Sequence, residues 1–415
     1  MATLAQQALL LLAVAAVAVV VDVTATTTAT AAATAAVTGV VRRASTVFRA
    51  GEASYSCFRV PTIATVDGAM LVFAEARRTS CADQSPKDIV YKRSHDNGTT
   101  WSELARLVGN HKGNHTYRNP YATVVSQPGS AACATKLVVG FVNSTLPEPW
   151  INQHRWSCNG GKTWSSIERV NLAPWEGVLA GPGTGIQLST PPHAALATAP
   201  RSAGGVVPPS SAAVGDEPES KQQQPLHSLQ RQQRAARILG CGATGYHAGH
   251  SMNAVVWYSD DGGVTFNVSS SVFAQMQECQ VVQLWNGTLV LNMRNSHLNA
   301  CRCRAYALSH DGGVTWEGPY WAPQLIEPVC SAGLIRLGGA LYFSNPHSAS
   351  HRVNMTVQVA TSDDMRWHVY QQLWPGPAAY SVMGHTPASE PCIVYERGSS
   401  SPYEELAFAA LAPAN

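Results

Sequence analysis

The side chains with the most distinctive chemistry are arginines, carboxyls and a tyrosine set in short, well-defined frames. Arg59 stands in Phe58-Arg59-Val60-Pro61, Arg294 in Asn292-Met293-Arg294-Asn295 and Arg352 in His351-Arg352-Val353-Asn354. A guanidinium stays charged and presents a planar fork that matches a carboxylate, so several of them converging would clamp an acidic ligand. Tyr380, in Gly376-Pro377-Ala378-Ala379-Tyr380-Ser381, carries a phenol that is neutral until a nearby base takes its proton. Glu278, in Glu278-Cys279-Gln280, and Asp83, after Arg77-Arg78-Thr79-Ser80-Cys81-Ala82, have carboxyls able to move protons. Asp88 is the nearby rival of Asp83. Taken singly, each residue has a plainer reading: a surface cation, a core tyrosine, a solvated turn carboxylate. No spacing among the 10 Cys and 14 His resembles a zinc site.

Residues so far apart must be gathered by a repeated scaffold, and a repeat is present. Ser94-His95-Asp96-Asn97-Gly98-Thr99-Thr100-Trp101 recurs from Ser157, Ser259 and Ser309, with a degraded copy at Ser362-Asp363-Asp364-Met365-Arg366-Trp367. The pattern S-x-D-x-G-x-T-W lapses twice, at Asn159 and Phe266. It describes a tight hairpin in which Asp bonds turn amides and Gly supplies positive φ, while the Thr and the aromatic open the next strand. Most copies are spaced by about 50 to 60 residues, which marks repeated supersecondary units. The long gap between Ser157 and Ser259 is explained by residues 189–236, rich in Pro, Gln, Ser and Ala and read as a disordered surface insertion. The remaining length fits about six four-stranded blades. Alternating runs such as Lys136–Asn143, Thr288–Met293 and Ala340–Ser344 supply strands. The expected fold is all-β, a six-bladed β-propeller.

The anchors between these repeats resemble the sialidase family, most nearly the lysosomal type of animal sialidase. They run in order through Phe58-Arg59-Val60-Pro61, Phe73-Ala74-Glu75-Ala76-Arg77, Gly181-Pro182-Gly183-Thr184-Gly185-Ile186-Gln187, Glu278-Cys279-Gln280, Phe343-Ser344-Asn345-Pro346, Arg352-Val353-Asn354 and Leu373-Trp374-Pro375-Gly376-Pro377. The likeness covers about residues 48–410. By this resemblance Arg59, Arg294 and Arg352 form a triad that grips the carboxylate of sialic acid. Tyr380 is the nucleophile, Glu278 its base and Asp83 the acid/base, while Glu396 orients the first arginine and Arg77 points into the pocket. A carboxylate nucleophile would be repelled by the substrate's own carboxylate, and sialidases are a known tyrosine exception to the two-carboxylate rule. The resemblance implies an exo-α-sialidase acting with retention on glycoproteins, oligosaccharides or gangliosides, with no cofactor and no metal. The alternatives are a trans-sialidase or a sialic-acid-binding propeller without catalysis.

The charge of +2 and the absence of a basic stripe give nucleic-acid binding no support. Residues 1–25 read as a signal peptide or N-terminal hydrophobic segment and 26–45 as an Ala/Thr spacer, leaving 46–412 as one catalytic domain. Six N-x-S/T sequons, at Asn97, Asn114, Asn143, Asn267, Asn286 and Asn354, fit the secretory route, with lysosomal, secreted or cell-surface destinations all open. The reading admits membrane association through the substrate or the N-terminal segment and names no protein partner. Cys301 and Cys303 are too close in sequence to pair easily, so each is expected to seek a distant partner or stay free.

Overall fold

A computed structural model describes residues 40–127, 129–145, 150–175, 177–189, 236–245, 252–296 and 301–414. The signal segment, most of the 26–45 spacer and nearly all of the 189–236 insertion lie outside the described residues. Among the described residues, apart from one short 3-10 turn at Glu52–Ser54, the elements are strands. Among the described residues no helix is long and apolar enough to cross a membrane.

The chain opens with β1 (Val41–Arg49). A first sheet follows: β2 (Cys57–Val66), β3 (Ala69–Arg77), β4 (Lys87–Ser94) and β5 (Ala105–Val108). The second holds β6 (Tyr117–Ser126), β7 (Thr135–Asn143), β8 (Ile151–Ser157) and β9 (Glu168–Arg169). Three two-residue strands come next: β10 (Leu179–Ala180), β11 (Gly183–Thr184), which runs parallel to β6, and β12 (Ile186–Gln187). The third sheet joins β10 and β12 to β13 (Ile238–Thr244), β14 (Asn253–Ser259), β15 (Asn267–Val268) and β16 (Phe273–Ala274). The fourth is β17 (Met276–Gln283), β18 (Leu289–Asn295), β19 (Cys303–Ser309) and β20 (Glu317–Ile326). The last runs through β21 (Gly333–Leu337), β22 (Ala340–Pro346), β23 (Val353–Ala360), β24 (His368–His385), β25 (Pro391–Arg397) and β26 (Glu405–Leu411). Strand β24 pairs with β23 up to Pro377 and with β25 from Ala378.

Burial explains this arrangement. Strand β3 (Ala-Met-Leu-Val-Phe-Ala-Glu-Ala-Arg) is buried at every position, as expected for a strand covered on both faces. Strand β20 is mostly exposed and carries Pro319 and Pro323, which suits an outer edge where ladder donors are not needed. The cores lie between successive sheets: one mixes Ile63, Met70 and Val90 with Val382, Val394 and Phe408, another mixes Leu239 and Val256 with Val281 and Leu291. Sheets packed face to face around a ring, with inner strands β6, β2, β24, β21, β17 and β13 packed each against the next, make a β-propeller. The ring closes where β1 pairs antiparallel with β26, from Val41 opposite Leu411 to Arg49 opposite Glu405. Strand β1 therefore begins inside the stretch read as spacer: Ala/Thr-rich sequence gives way at Val41 to a strand whose ladder is completed by β26. The insertion leaves from one strand and returns on its neighbour, with Leu188 N–H donating to Arg237 O at 2.8 Å and Ile186 opposite Leu239.

The repeats staple neighbouring sheets together. In the first, Gly98 N–H donates to Ser94 Oγ at 2.8 Å, and Thr100 donates from its amide and hydroxyl to Asp96 at 2.9 and 2.6 Å. Asn159 keeps the geometry by donating from its amide to Thr163 Oγ1 at 2.8 Å. In the degraded copy Met365 takes the left-handed conformation (φ 51°) that Asn97 takes in the first (φ 57°). Trp101 lies edge-on to Phe408 of β26 (5.5 Å), and Trp164 to Tyr91 of β4 (5.8 Å). Gly98 is required twice over: its φ is 85°, and a Cβ there would meet the Phe408 ring at 2.1 Å. The Thr100 hydroxyl and amide pull the Asp96 carboxyl down to about 2. Asp96→Ala is expected to lower stability at neutral pH by roughly 1–2 kcal/mol from lost turn hydrogen bonds, a figure kept small by solvent exposure. Because the folded value is depressed, that difference is full above the ordinary carboxylate range and shrinks as pH falls from about 4 toward about 2. Urea titrations of both proteins across that window check it.

Candidate active site

Four inner strands carry a register irregularity at the same level. The breaks lie between Arg59 and Thr62 in β2, Arg118 and Tyr121 in β6, Met276 and Cys279 in β17, and Ala378 and Ser381 in β24. A bulge frees one backbone amide from the ladder and re-aims its side chains. In β2 the cause is local: Val60 is left-handed (φ 56°) and Pro61 has no N–H to give. The same Arg-x-Pro pattern recurs in Arg118-Asn119-Pro120, with Asn119 also left-handed (φ 48°).

At these bulges the expected residues gather. Glu396, fully buried in β25, accepts from Arg59 Nε at 3.1 Å and Nη2 at 3.4 Å. The same carboxylate accepts the freed amides of Val60 and Tyr380, each at 3.0 Å. Tyr380 OH donates to Glu278 Oε1 and accepts from Arg294 Nη1 at 3.0 Å, while Arg294 Nη1 also reaches Glu278 Oε2 at 2.6 Å. Arg59 and Arg352 both lie over the Tyr380 ring, at 5.1 and 5.5 Å from its centroid. Arg352 donates to Tyr403 OH at 3.1 Å and Val329 O at 3.2 Å. Among the described residues it forms no ion pair with a carboxylate, and Arg294 Nε, also buried, has no hydrogen-bond partner.

Asp83 sits at the mouth with its side chain 59% exposed, between Arg77 Nη1 at 2.8 Å and Arg59 Nη1 at 3.4 Å. Arg77 is held in turn by Glu75, and Lys87 Nζ grips the Asp83 carbonyl at 2.7 Å. Asp88, the rival, is fully buried and bonded to Tyr55 OH at 2.7 Å and His111 N–H at 3.0 Å; its cationic neighbours are Arg78 and Arg106. Two disulfides brace the site. Cys57–Cys81 ties the start of β2 to the Asp83 loop, and Cys241–Cys279 ties β13 to the residue after Glu278. The Cys301–Cys303 expectation is corrected: a bend at Arg302 brings their Cα atoms to 5.2 Å and the two pair with each other, within ordinary disulfide reach. At the opposite ends of the same inner strands lies a cavity of about 300 Å³ lined by Ile63, Thr65, Val124, Gln283 and His385, holding no member of the charged cluster.

Residues 68–390 match the family model of the BNR repeat-like domain. The chain belongs to that family. Its relatives include a sialidase from Micromonospora viridifaciens, 26% identical over 390 residues, covering 85% of this chain and 52% of that protein. A sialidase from Bacteroides fragilis (strain YCH46) is 26% identical over 361 residues, covering 79% of this chain and 57% of its own. The chain thus spans little more than half the length of these curated relatives. Among solved structures, a Hadza microbial sialidase, Hz136, superposes with a TM-score of 0.66 at 22% identity, over 87% of this chain and 67% of that one. That likeness concerns the fold.

Three site neighbours in this BNR-repeat protein had no part in the sequence expectations: Tyr403, whose ring lies 4.1 Å from the Arg59 guanidinium, Arg118 and Cys330. The repeated Arg-x-Pro is a signal that could have found Arg118. Electrostatics divides the carboxyls. Burial and the Glu278 carboxylate push the Tyr380 phenol well above its ordinary value, against Arg294 and Arg59. Burial pushes Glu75 up, but Lys87 and Arg77 outweigh it and bring it to about 2, while burial lowers Lys87 to about 8. Burial also pushes the Asp83 carboxyl up, but Arg77 and Arg59 outweigh it and hold it below the usual range. Arg77→Gln is therefore expected to raise the Asp83 titration midpoint, followed by carboxyl ¹³C NMR; an unmoved midpoint contradicts the ion-pair account.

Proposed function

We propose that this chain is a retaining exo-α-sialidase. The observation that carries the reading is the three-arginine cluster in which Arg59 and Arg294 have carboxylate partners and Arg352 has none among the described residues, set beside a tyrosine bonded to a glutamate. The sialidase names among its relatives and the ordered motif series support it. Two finer readings belong to the proposal. Dividing the last sheet at β24 gives six blades, and the motif series is nearest the animal lysosomal type, with a secretory-pathway setting.

In this reading the substrate is a sialylated glycan whose carboxylate lies against Arg352, Arg294 and Arg59. Asp83, protonated, gives its proton to the departing glycosidic oxygen as the bond to the anomeric carbon breaks. Tyr380 O attacks that carbon while its proton passes to Glu278, and Arg294 stabilises charge on the phenol oxygen. Water then attacks, giving its proton to Asp83. Tyr380 leaves with the proton returned from Glu278, and two inversions give net retention. Arg77 holds the acid in place and Glu396 fixes Arg59 and the backbone of the nucleophile.

Release of 4-methylumbelliferone from its α-sialoside tests the activity. Wild type is expected to be active and Tyr380→Phe to lose roughly 10³-fold or more in kcat. Arg352→Ala is expected to act mainly on KM, since that contact is made in ground and transition state alike. A folded, glycosylated wild type that releases nothing overturns the proposal in favour of a binding propeller, and transfer of the sugar to an added lactose acceptor in preference to water marks a trans-sialidase. The pH dependence carries a sign. A bound carboxylate draws Arg59 away from Asp83 and so raises the acid's pKa. The basic limb of kcat, which reports the complex, should then lie at higher pH than that of kcat/KM, which reports the free enzyme.

A further inference from the structure

Beneath the Glu278–Tyr380 pair lies a second charged pair that touches none of the proposed substrate groups. Arg304 of β19 and Glu327, just after β20, are both fully buried and meet at 2.8 Å (Nη1 to Oε2). Beyond one another, their side chains bond mainly to backbone next to the site. Arg304 Nη2 reaches the carbonyl of Glu278 at 3.4 Å, and Nη1 reaches the carbonyl of Cys330 at 3.0 Å. Arg304 Nε is anchored by Asn292 Oδ1 at 2.7 Å. Glu327 Oε1 accepts the amide of Asn295, the residue after Arg294, at 2.6 Å. The carbonyl on which Arg352 rests belongs to Val329, left-handed at φ 55° and directly before Cys330.

One ion pair therefore contacts the chain at the base, beside the second arginine and beside the rest of the third. A buried pair of this kind is weak evidence for stability, because apolar replacements of equal volume are often no worse. Its charges are explained by what they hold. A guanidinium with several donors fixes to one rigid fork the carbonyl of Glu278 in β17 and that of Cys330 in the β20–β21 connection. The amide of Asn295 needs an acceptor because the β18–β19 pairing runs only from Leu289 to Met293.

Resting on the sialidase reading above, we propose that Arg304 and Glu327 are positioning residues that set the Glu278–Tyr380–Arg294 geometry and the seat of Arg352. The test uses the full-length glycosylated protein with Glu327→Gln, Arg304→Lys and the paired Arg304→Met/Glu327→Leu. The paired variant leaves no uncompensated buried charge and is the one to rely on if the single variants misfold; Asn292→Ala, which frees only Arg304 Nε, is a milder second route. In folded variants kcat on the α-sialoside is expected to fall at least tenfold for the pair and for Glu327→Gln, with a shifted pH profile. Arg304→Lys should recover part of the loss. The ¹³Cζ resonance of Tyr380, assigned through Tyr380→Phe, should also move. A paired variant that melts lower but keeps kcat within threefold, the wild-type pH profile and an unmoved Tyr380 resonance makes the pair merely structural and overturns the proposal. The resonance separates the two readings: if wild type cleaves no sialoside, the function falls, yet a moved or unmoved Tyr380 signal still decides the positioning.

Discussion

The site depends on the buried carboxylate of Glu396. A lone carboxylate taken out of water is costly and survives only when its lone pairs are filled. Glu396 fills them with the Arg59 guanidinium and with the amides of Val60 and Tyr380. Those amides are available because β2 and β24 are bulged at those residues. The charge and the bulges require each other. Without the carboxylate the amides would be buried and unpaired, and without the bulges it would lack donors. Three strands from opposite ends of the sequence are thereby locked at one level of the propeller, with the first arginine and the tyrosine facing the same space.

The rest of the site repeats that logic with different charges. Glu75 accepts the amide freed at the β6 bulge, that of Asn119, at 2.9 Å and also holds Arg77. Glu327 accepts Asn295 and holds Arg304. In each case a buried acid satisfies a backbone donor that the ladder has released and orders a cation that the site uses or rests on. The outer repeats work at a distance from this chemistry. Their turns and aromatic residues fix the spacing of the sheets, so that the inner strands arrive in register.

Legibility in the sequence follows the physics of each part. The hairpin repeat was readable because its Asp, Gly and Thr are demanded by local geometry. So were the strands around Lys136–Asn143, Thr288–Met293 and Ala340–Ser344, which the structure places in β7, β18 and β22. The arginines, Tyr380, Glu278 and Asp83 stood out through their motif frames, and burial of Asp88 adds to the resemblance that already preferred Asp83. Arg304 and Glu327 sit in no motif, because what they bind is backbone, which any sequence supplies. Strand β1 was missed from Val41 to Ser45 because its partner, β26, lies at the other end of the chain. The Cys301–Cys303 pairing was missed because it depends on a bend that no local signal announced.

The central claim is that Tyr380, activated by Glu278 and cradled by the arginines, becomes covalently bonded to the sugar. A 3-fluorosialosyl fluoride tests this directly, since the second fluorine destabilises the oxocarbenium-like transition state and slows release of the adduct. Intact mass followed by peptide mapping should find one sialosyl group on Tyr380, lost slowly as activity returns. A label on Glu278 or Asp83, or no label in a protein that turns over the ordinary sialoside, would contradict the account.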